Sequence, residues 1–269
     1  MFKKVLALVM CLLLMITVFT GCSSKNEAPV DESKGQTEEN TTPVSGENKL
    51  VDGTYLIKEE VSENGNFPMA KLVVKNGEIE SLEYNEYLAT SGEAKNESNY
   101  PYVDGVKVIA NLNEQFNEKK NLDEIDYDAV SGATHTKEHF KEIVKELLDK
   151  AAKGETYEPV YKDGVYEAQA DEASHGWLAQ VKVTVKDGQI VGLDYAEVAV
   201  EDMETAKKGD RKTTENYSYP RSIEVAKELQ KLIIDNNGTE GLNVDSITGA
   251  TSTRTNVIEL VNKALSNAK

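Results

Sequence analysis

The sequence spells much of itself twice, and that duplication limits what the chain can fold into more than any composition figure does. "VDGTY" at 51–55 returns as "KDGVY" at 162–166, and "KLVVKNGEIESLEY" at 71–84 returns as "KVTVKDGQIVGLDY" at 182–195. Gly53 to Gly164 and Tyr84 to Tyr195 keep one offset. Tyr100-Pro101 matches Tyr219-Pro220 at a longer offset, and "DAVSGAT" at 128–134 matches "DSITGAT" at 245–251 at an intermediate one. Offsets that drift while motifs persist are what loop insertions between retained elements produce. The chain therefore reads as two homologous domains in tandem, 50–154 and 155–269, near the lower end of the ~100–200 residues usual for a domain.

Within each copy the first half has the pattern of strands. Leu72 and Val74, then Val181, Val183 and Val185, alternate with Lys or Thr, as half-buried strands do. Asn76-Gly77 and Asp187-Gly188 interrupt these runs with the dipeptides that favour tight hairpins. The second half has helical spacing. Pro101 and Pro220 stand where a helix can begin without losing a hydrogen bond. Val106, Ala110 and Phe116 in the first copy, and Ala226, Leu229 and Ile233 in the second, fit a helical stripe. After each Gly-Ala-Thr the period is clearer: Phe140, Ile143, Val144, Leu147 and Leu148 make one face, and Val257, Ile258, Val261, Ala264 and Leu265 make the other. Strands first and helices later predict an α+β fold, each domain an antiparallel sheet packed against helices.

Ahead of the copies stands a different kind of sequence. Lys3 and Lys4 precede an apolar run from Val5 to Phe19, too short for the ~20 residues of a spanning helix, and Gly21-Cys22 closes it. This is the pattern of a signal peptide over 1–21, and Gly-Cys resembles a bacterial lipobox with Cys22 as the lipidated residue, although Phe19 stands where that pattern usually has Leu. Cys11 would leave with the signal, so the mature chain would hold one cysteine and no internal disulfide. Several acyl chains on Cys22 would hold the protein firmly on a membrane. The polar stretch that follows, 22–49, lacks the apolar content to offset chain entropy and reads as a disordered tether with a reach of about 30 Å.

The net charge is -17, from 30 Lys and Arg against 47 Asp and Glu. Nucleic-acid binding needs clustered cations to neutralise phosphates, so nucleic acid is excluded as an expected partner.

The repeated loop carries the chemistry. It leads into a helix, whose first N–H groups have no partner and whose dipole favours negative charge. Gly132 and Gly249 remove side-chain bulk, Ala133 and Ala250 add little, and Thr134 and Thr251 supply a hydroxyl. A phosphate can approach such a backbone. The competing explanation is plain capping, for which Ser131, Thr134 and Thr136 are all suitable and which is worth about 1 kcal/mol.

Asp-x-x-(Ser/Thr)-Gly-Ala-Thr resembles the flavinylation motif of the FMN-binding domain family, which has members in the sodium-pumping NADH:quinone reductase and in the Rnf complex. Asp128, Ser131, Gly132, Ala133 and Thr134 match it position by position, as do Asp245, Thr248, Gly249, Ala250 and Thr251. The resemblance runs from about Leu50 to the C-terminus. It implies FMN joined by a phosphoester to Thr134 and Thr251, two groups in all, installed by a separate FAD-dependent flavin transferase. Behind a lipobox and tether, the arrangement resembles the diflavin lipoproteins of extracellular electron transfer in Gram-positive bacteria. That resemblance implies lipid anchoring at the outer face of the cell membrane. It also implies electrons drawn from the membrane NADH and quinone system and delivered to extracellular acceptors such as ferric iron or soluble flavins. Such a chain is an electron carrier more than a self-contained catalyst, with any reductase activity toward those acceptors depending on its flavins.

Two other readings compete. "HTKEH" at 135–139 fits the H-x-x-E-H pattern of zinc peptidases, with His135, Glu138 and His139 on one helical turn, but the second copy has "STRTN" there and no third ligand is marked. A surface-binding lipoprotein without redox activity would need the Gly-Ala-Thr loops to be caps only. Phe67 and Trp177, at comparable places before a strand, are candidates to stack on a flavin, with burial in the core as the plainer expectation for each.

Overall fold

The computed structural model describes residues 49–269; the signal segment with Cys11, the lipobox Cys22 and the tether up to residue 48 lie outside the described residues. Each repeat opens with three strands. β1 (Gly53–Lys58), β2 (Asn66–Lys75) and β3 (Glu78–Leu88) form one antiparallel sheet in the order β1-β2-β3, and β4 (Gly164–Gln169), β5 (Trp177–Lys186) and β6 (Gln189–Ala199) form its counterpart. The hairpin dipeptides do what their composition demands. Asn76 and Asp187 take positive φ of 57° and 50°, and the glycines after them 79° and 73°. The repeated Asp-Gly before β1 and β4 also ties the hairpin down. Asp52 accepts from Asn76 N at 2.9 Å and Gly77 N at 2.6 Å, and Asp163 accepts from Gly188 N at 2.8 Å. A register shift falls at Val73/Val74 in one sheet and at the counterpart Thr184/Val185 in the other.

The helices follow. α1 (Val103–Lys119) and α2 (Thr134–Lys153) cover the first sheet, α3 (Arg221–Asn236) and α4 (Thr251–Leu265) the second, so the α+β architecture in two antiparallel copies is as expected. In the first copy Leu72, Val74, Leu82 and Tyr84 from the strands meet Leu112, Phe116, Phe140, Ile143 and Leu147 from the helices. The stripe on α1 differs from the one expected. Val108, Ile109, Leu112 and Phe116 are its buried apolar residues, while Ala110 is exposed, and the helix starts after Tyr102 with Pro101 outside it. On α4, Leu260 takes the buried place expected for Ile258.

The other face of the first sheet is also buried, which sequence alone did not suggest. Odd-numbered Phe67 and Met69 on β2, with Tyr87 and Ala89, join Val61 in one apolar cluster with Val181, Ile190, Leu193 and Ile234 of the second repeat. Polar bonds fasten this contact. Lys58 Nζ donates to Ile234 O at 2.5 Å, Asp235 Oδ1 accepts from Val61 N at 2.7 Å, Leu193 N donates to Ala89 O at 2.8 Å, and Lys71 pairs with Asp187. Burial is the larger influence on the Lys58 ammonium and pulls it down to about 8, against the opposing pull of Asp235.

The alignment of the copies is corrected by their bonding. Bridges Tyr87↔Ala94 and Val198↔Arg211 are counterparts, as are the turns in which Asn99 accepts from Asn96 N and Asn216 from Thr213 N, each at 2.8 Å. Tyr84 N is held by Asn113 and Tyr195 N by Gln230 at the same station. Tyr100 therefore corresponds to Tyr217 and Tyr102 to Tyr219, two residues away from the Tyr-Pro match read in the sequence. One offset then runs unbroken from Lys95 and Lys212 to Thr134 and Thr251, and all the inserted length of the second copy falls in the loop after β6.

Candidate functional site

The two Gly-Ala-Thr loops share one backbone conformation. Gly132 and Gly249 sit at φ 81° and 83°, and the alanines after them are the N-cap residues, left-handed at φ 47°, ψ 47° (Ala133) and φ 45°, ψ 49° (Ala250). Entering that region costs a residue with a Cβ about 1 kcal/mol or more, so its presence in both copies marks a backbone held by its surroundings. Neither helix has a side-chain cap. That removes the capping explanation: Ser131 and Thr248 are exposed ahead of the cap, Thr136 and its counterpart Thr253 are buried, and Thr134 and Thr251 are themselves the first helical residues, both exposed. The first helical bonds run from Lys137 N to Ala133 O (3.2 Å) and from Arg254 N to Ala250 O (3.0 Å), so the N–H groups of the opening turn, from the threonine onward, precede the intrahelical ladder.

A matched cation pins each loop. Lys137 Nζ donates to Val130 O at 2.7 Å, and Arg254 Nη1 donates to Ile247 O at 2.7 Å and Val244 O at 3.1 Å. These bonds hold the strained segment from its C-terminal side. Asp128 is exposed, its own amide bound to Asp126 Oδ1 at 2.9 Å, while the side chain of Asp245 lies outside the described residues.

The first loop borders a cleft of about 600 Å³ whose walls include Tyr100, Tyr102, Asp104, Ala133, Thr134 and His135. That is within the range of small-molecule sites. Behind it stands a buried ion pair: Lys95 Nζ lies 2.5 Å from Glu86 Oε2 and 4.0 Å from the centre of the Tyr100 ring. Tyr84, whose hydroxyl is 3.4 Å from Glu86, is pushed well above the usual phenol range by burial first and by the carboxylates Glu86 and Glu59 second. The second repeat rebuilds the group with Glu197 paired to Lys212, Lys212 over the Tyr217 ring at 4.0 Å, and the Tyr195 hydroxyl 2.9 Å from Glu197. Burial raises Tyr195 to about 12.

The copies differ at one wall. The counterpart of Asp104 is Arg221, which lies against Gly249, donates from Nε to Thr248 O at 3.0 Å, and pairs with Glu228 at 2.6 Å and Glu224 at 3.3 Å.

Neither aromatic candidate from the strands reaches a loop. Phe67 is fully buried and stacks on Tyr87, ring centres 6.0 Å apart, in the contact between repeats. Trp177 is buried against Ala199, Ala206 and Tyr217. Nor are they counterparts: Trp177 pairs with Ala199 where Asn66 pairs with Leu88, so Phe67 is one residue on and faces the other side of its sheet. The histidines of the H-x-x-E-H segment face different partners, His135 lying 3.3 Å from Glu138 and 93% exposed, His139 lying 2.8 Å from Glu59 but outside hydrogen-bond geometry. Among the described residues no group of three His, Cys, Asp or Glu is placed to hold a metal. Tyr102 and Tyr219 were missed by sequence reasoning; the signal available was their constant distance from the Gly-Ala-Thr loops.

Comparison with known proteins gives one strong result. The model of the FMN-binding domain family matches the chain twice, over 64–149 and 176–266, each match containing one Gly-Ala-Thr loop and most of the helix after it. No curated protein matches. Two solved structures are similar over about one repeat. A crystal structure of a Clostridium perfringens protein shares 24% identity, covers 40% of this chain and 93% of its own, and has a TM-score of 0.35. An NMR structure of a Clostridium thermocellum protein shares 24% identity, covers 39% and 91%, and has a TM-score of 0.28.

Proposed function

Since the chain belongs to the FMN-binding domain family in both of its repeats, we propose that it is a flavoprotein carrying one covalent FMN on Thr134 and one on Thr251 and relaying electrons outside the cell. The observation that supports this most is the uncapped helix entrance found in both copies. A left-handed Gly-Ala pair leaves the N–H groups of the opening turn free of side-chain caps, with an exposed threonine hydroxyl among them. Those are the donors that a phosphate monoester or diester needs, so the residues fit the group. In the attachment step the threonine Oγ bonds to the FMN phosphorus of FAD as the pyrophosphate bond breaks. AMP leaves, the hydroxyl proton is lost, and the FAD-dependent transferase is the catalyst. When bound, the isoalloxazine supplies the reversible electron uptake. The protein's part is to hold the phosphate at the helix entrance and to shape the surroundings of the ring.

Lipidation at Cys22 and the tether after it would keep both sites near the outer membrane surface. There the NADH and quinone system is the donor, and ferric iron or soluble flavin the acceptor. Among the described residues no helix is long and apolar enough to cross a membrane, so anchoring in this reading rests on the N-terminal segment.

The test is intact mass of the protein made in a host that has the transferase. Two FMN less two waters are expected above the lipidated polypeptide, with Thr134→Ala and Thr251→Ala each removing one. Unmodified threonine peptides from such a host would overturn the assignment.

A further inference from the structure

We propose that Tyr102 and Tyr219 are the side chains against which the two isoalloxazine rings lie, Tyr102 mounted on Tyr100 and the buried Lys95–Glu86 pair behind it. This rests on FMN being attached at Thr134 and Thr251. Among the described residues half of the Phe, Tyr and Trp side chains are buried and most of the rest half-buried, and just two are exposed, Tyr102 at 70% and Tyr219 at 47%. They are structural counterparts, so the same ring is left in solvent at the same station of both repeats.

Neither ring is needed there by the fold. Tyr102 is the N-cap residue of α1 yet makes no side-chain cap bond, and Tyr219 precedes the corresponding cap, Pro220. Both stand at the loop instead. Tyr102 shares the 600 Å³ cleft with Thr134, and the Tyr219 hydroxyl lies 3.3 Å from where a Cβ on Gly249 would be. The mount is preorganised: Tyr102 leans edge-on to Tyr100 at 5.5 Å, and Tyr100 is fixed from behind by Lys95. A flat heteroaromatic ring tied by its tail to the adjoining threonine gains offset or edge contact with such a tyrosine, and that contact exists only when the ring is present. The exposed phenol is thereby accounted for.

The full chain from a transferase-bearing host tests this, with each site read alone in the Thr251→Ala or Thr134→Ala background. A tyrosine in contact with a photoexcited flavin quenches its emission by a reversible electron shift, with no net chemistry. Tyr102→Leu and Tyr219→Leu are expected to keep the remaining FMN by mass while emission per flavin rises several-fold; Tyr102→Trp is expected to keep it low. Unchanged emission with FMN still attached overturns the inference and leaves the attachment standing. Loss of FMN in the Leu variants also overturns it, placing the tyrosines in recognition by the transferase. Bare threonines in the unsubstituted protein overturn attachment and inference together.

Discussion

The amide nitrogen of Gly92 lies where a side chain on Gly192 would begin, since a Cβ built on Gly192 would sit 2.3 Å from it. This is the point at which the loop after β3 presses on β6, beside the bonds from Leu193 N to Ala89 O and from Thr184 Oγ1 to Ser91 O, at 2.8 and 3.0 Å. The counterpart of Gly192 in the first repeat is Ser81, which faces no such neighbour. Putting the first copy's residue into the second, Gly192→Ser, is therefore expected to cost about 2 kcal/mol by forcing the backbones apart. Urea unfolding would read it, and a midpoint equal to the parent's would refute the close contact.

Lys58 makes the contact between repeats sensitive to alkali. Its folded pKa, about 8, is below that of the unfolded chain, near 10.5, so the unfolded state binds more protons between these values. Stability contributed here is reduced below pH 8 and rises as pH climbs from 8 toward 10. Above that, Tyr84, Tyr87 and Tyr195, all raised by burial, pull the other way. Between pH 8 and 10 the parent is expected to gain about 2 kcal/mol relative to Lys58→Met. Parallel stability curves for the two proteins would contradict it.

The ion pair behind Tyr100 matters to the fold chiefly through what its loss would leave behind. Both side chains are almost wholly buried, so removing one leaves the other charged and unpaired. Lys95→Met is expected to destabilise by about 3 kcal/mol, and the double variant Lys95→Met with Glu86→Leu by much less. Denaturation of the single and double variants separates these outcomes; a double variant as weak as the single would count against the pair.

Ala133 and Ala250 hold a conformation suited to glycine. Ala133→Gly and Ala250→Gly are each expected to stabilise by several tenths of a kcal/mol, the lost strain exceeding the gained chain entropy. Ala133→Val is expected to destabilise by about 1 kcal/mol or more, the cost of a bulkier residue in that region. Thermal melts of the three suffice, and a stabilising valine would show that the left-handed cap is wrong.

Strands, hairpins and the placement of both loops were legible because each rests on a local code. Val181, Val183 and Val185 alternate, Asp187-Gly188 permits positive φ, and Phe140, Ile143 and Leu147 mark the helix after Thr134. What escaped is non-local. Phe67 and Met69 alternate like any strand, and nothing in the spacing tells which body their face meets. The Tyr100 match slipped by two because identical Tyr-Pro pairs outweighed the weaker Lys-x-x-x-Asn-Tyr pattern shared by 95–100 and 212–217. Alanine carries no signal for a left-handed turn, so Ala133 and Ala250 were passed over in favour of good capping residues nearby.

The apolar cluster shared by Phe67, Met69, Val181 and Ile234 makes each repeat a cover for part of the other, so the two are not independent beads on a string. Severed at the junction, the first piece would bare a flank built for its sibling and the second would lose part of its filling.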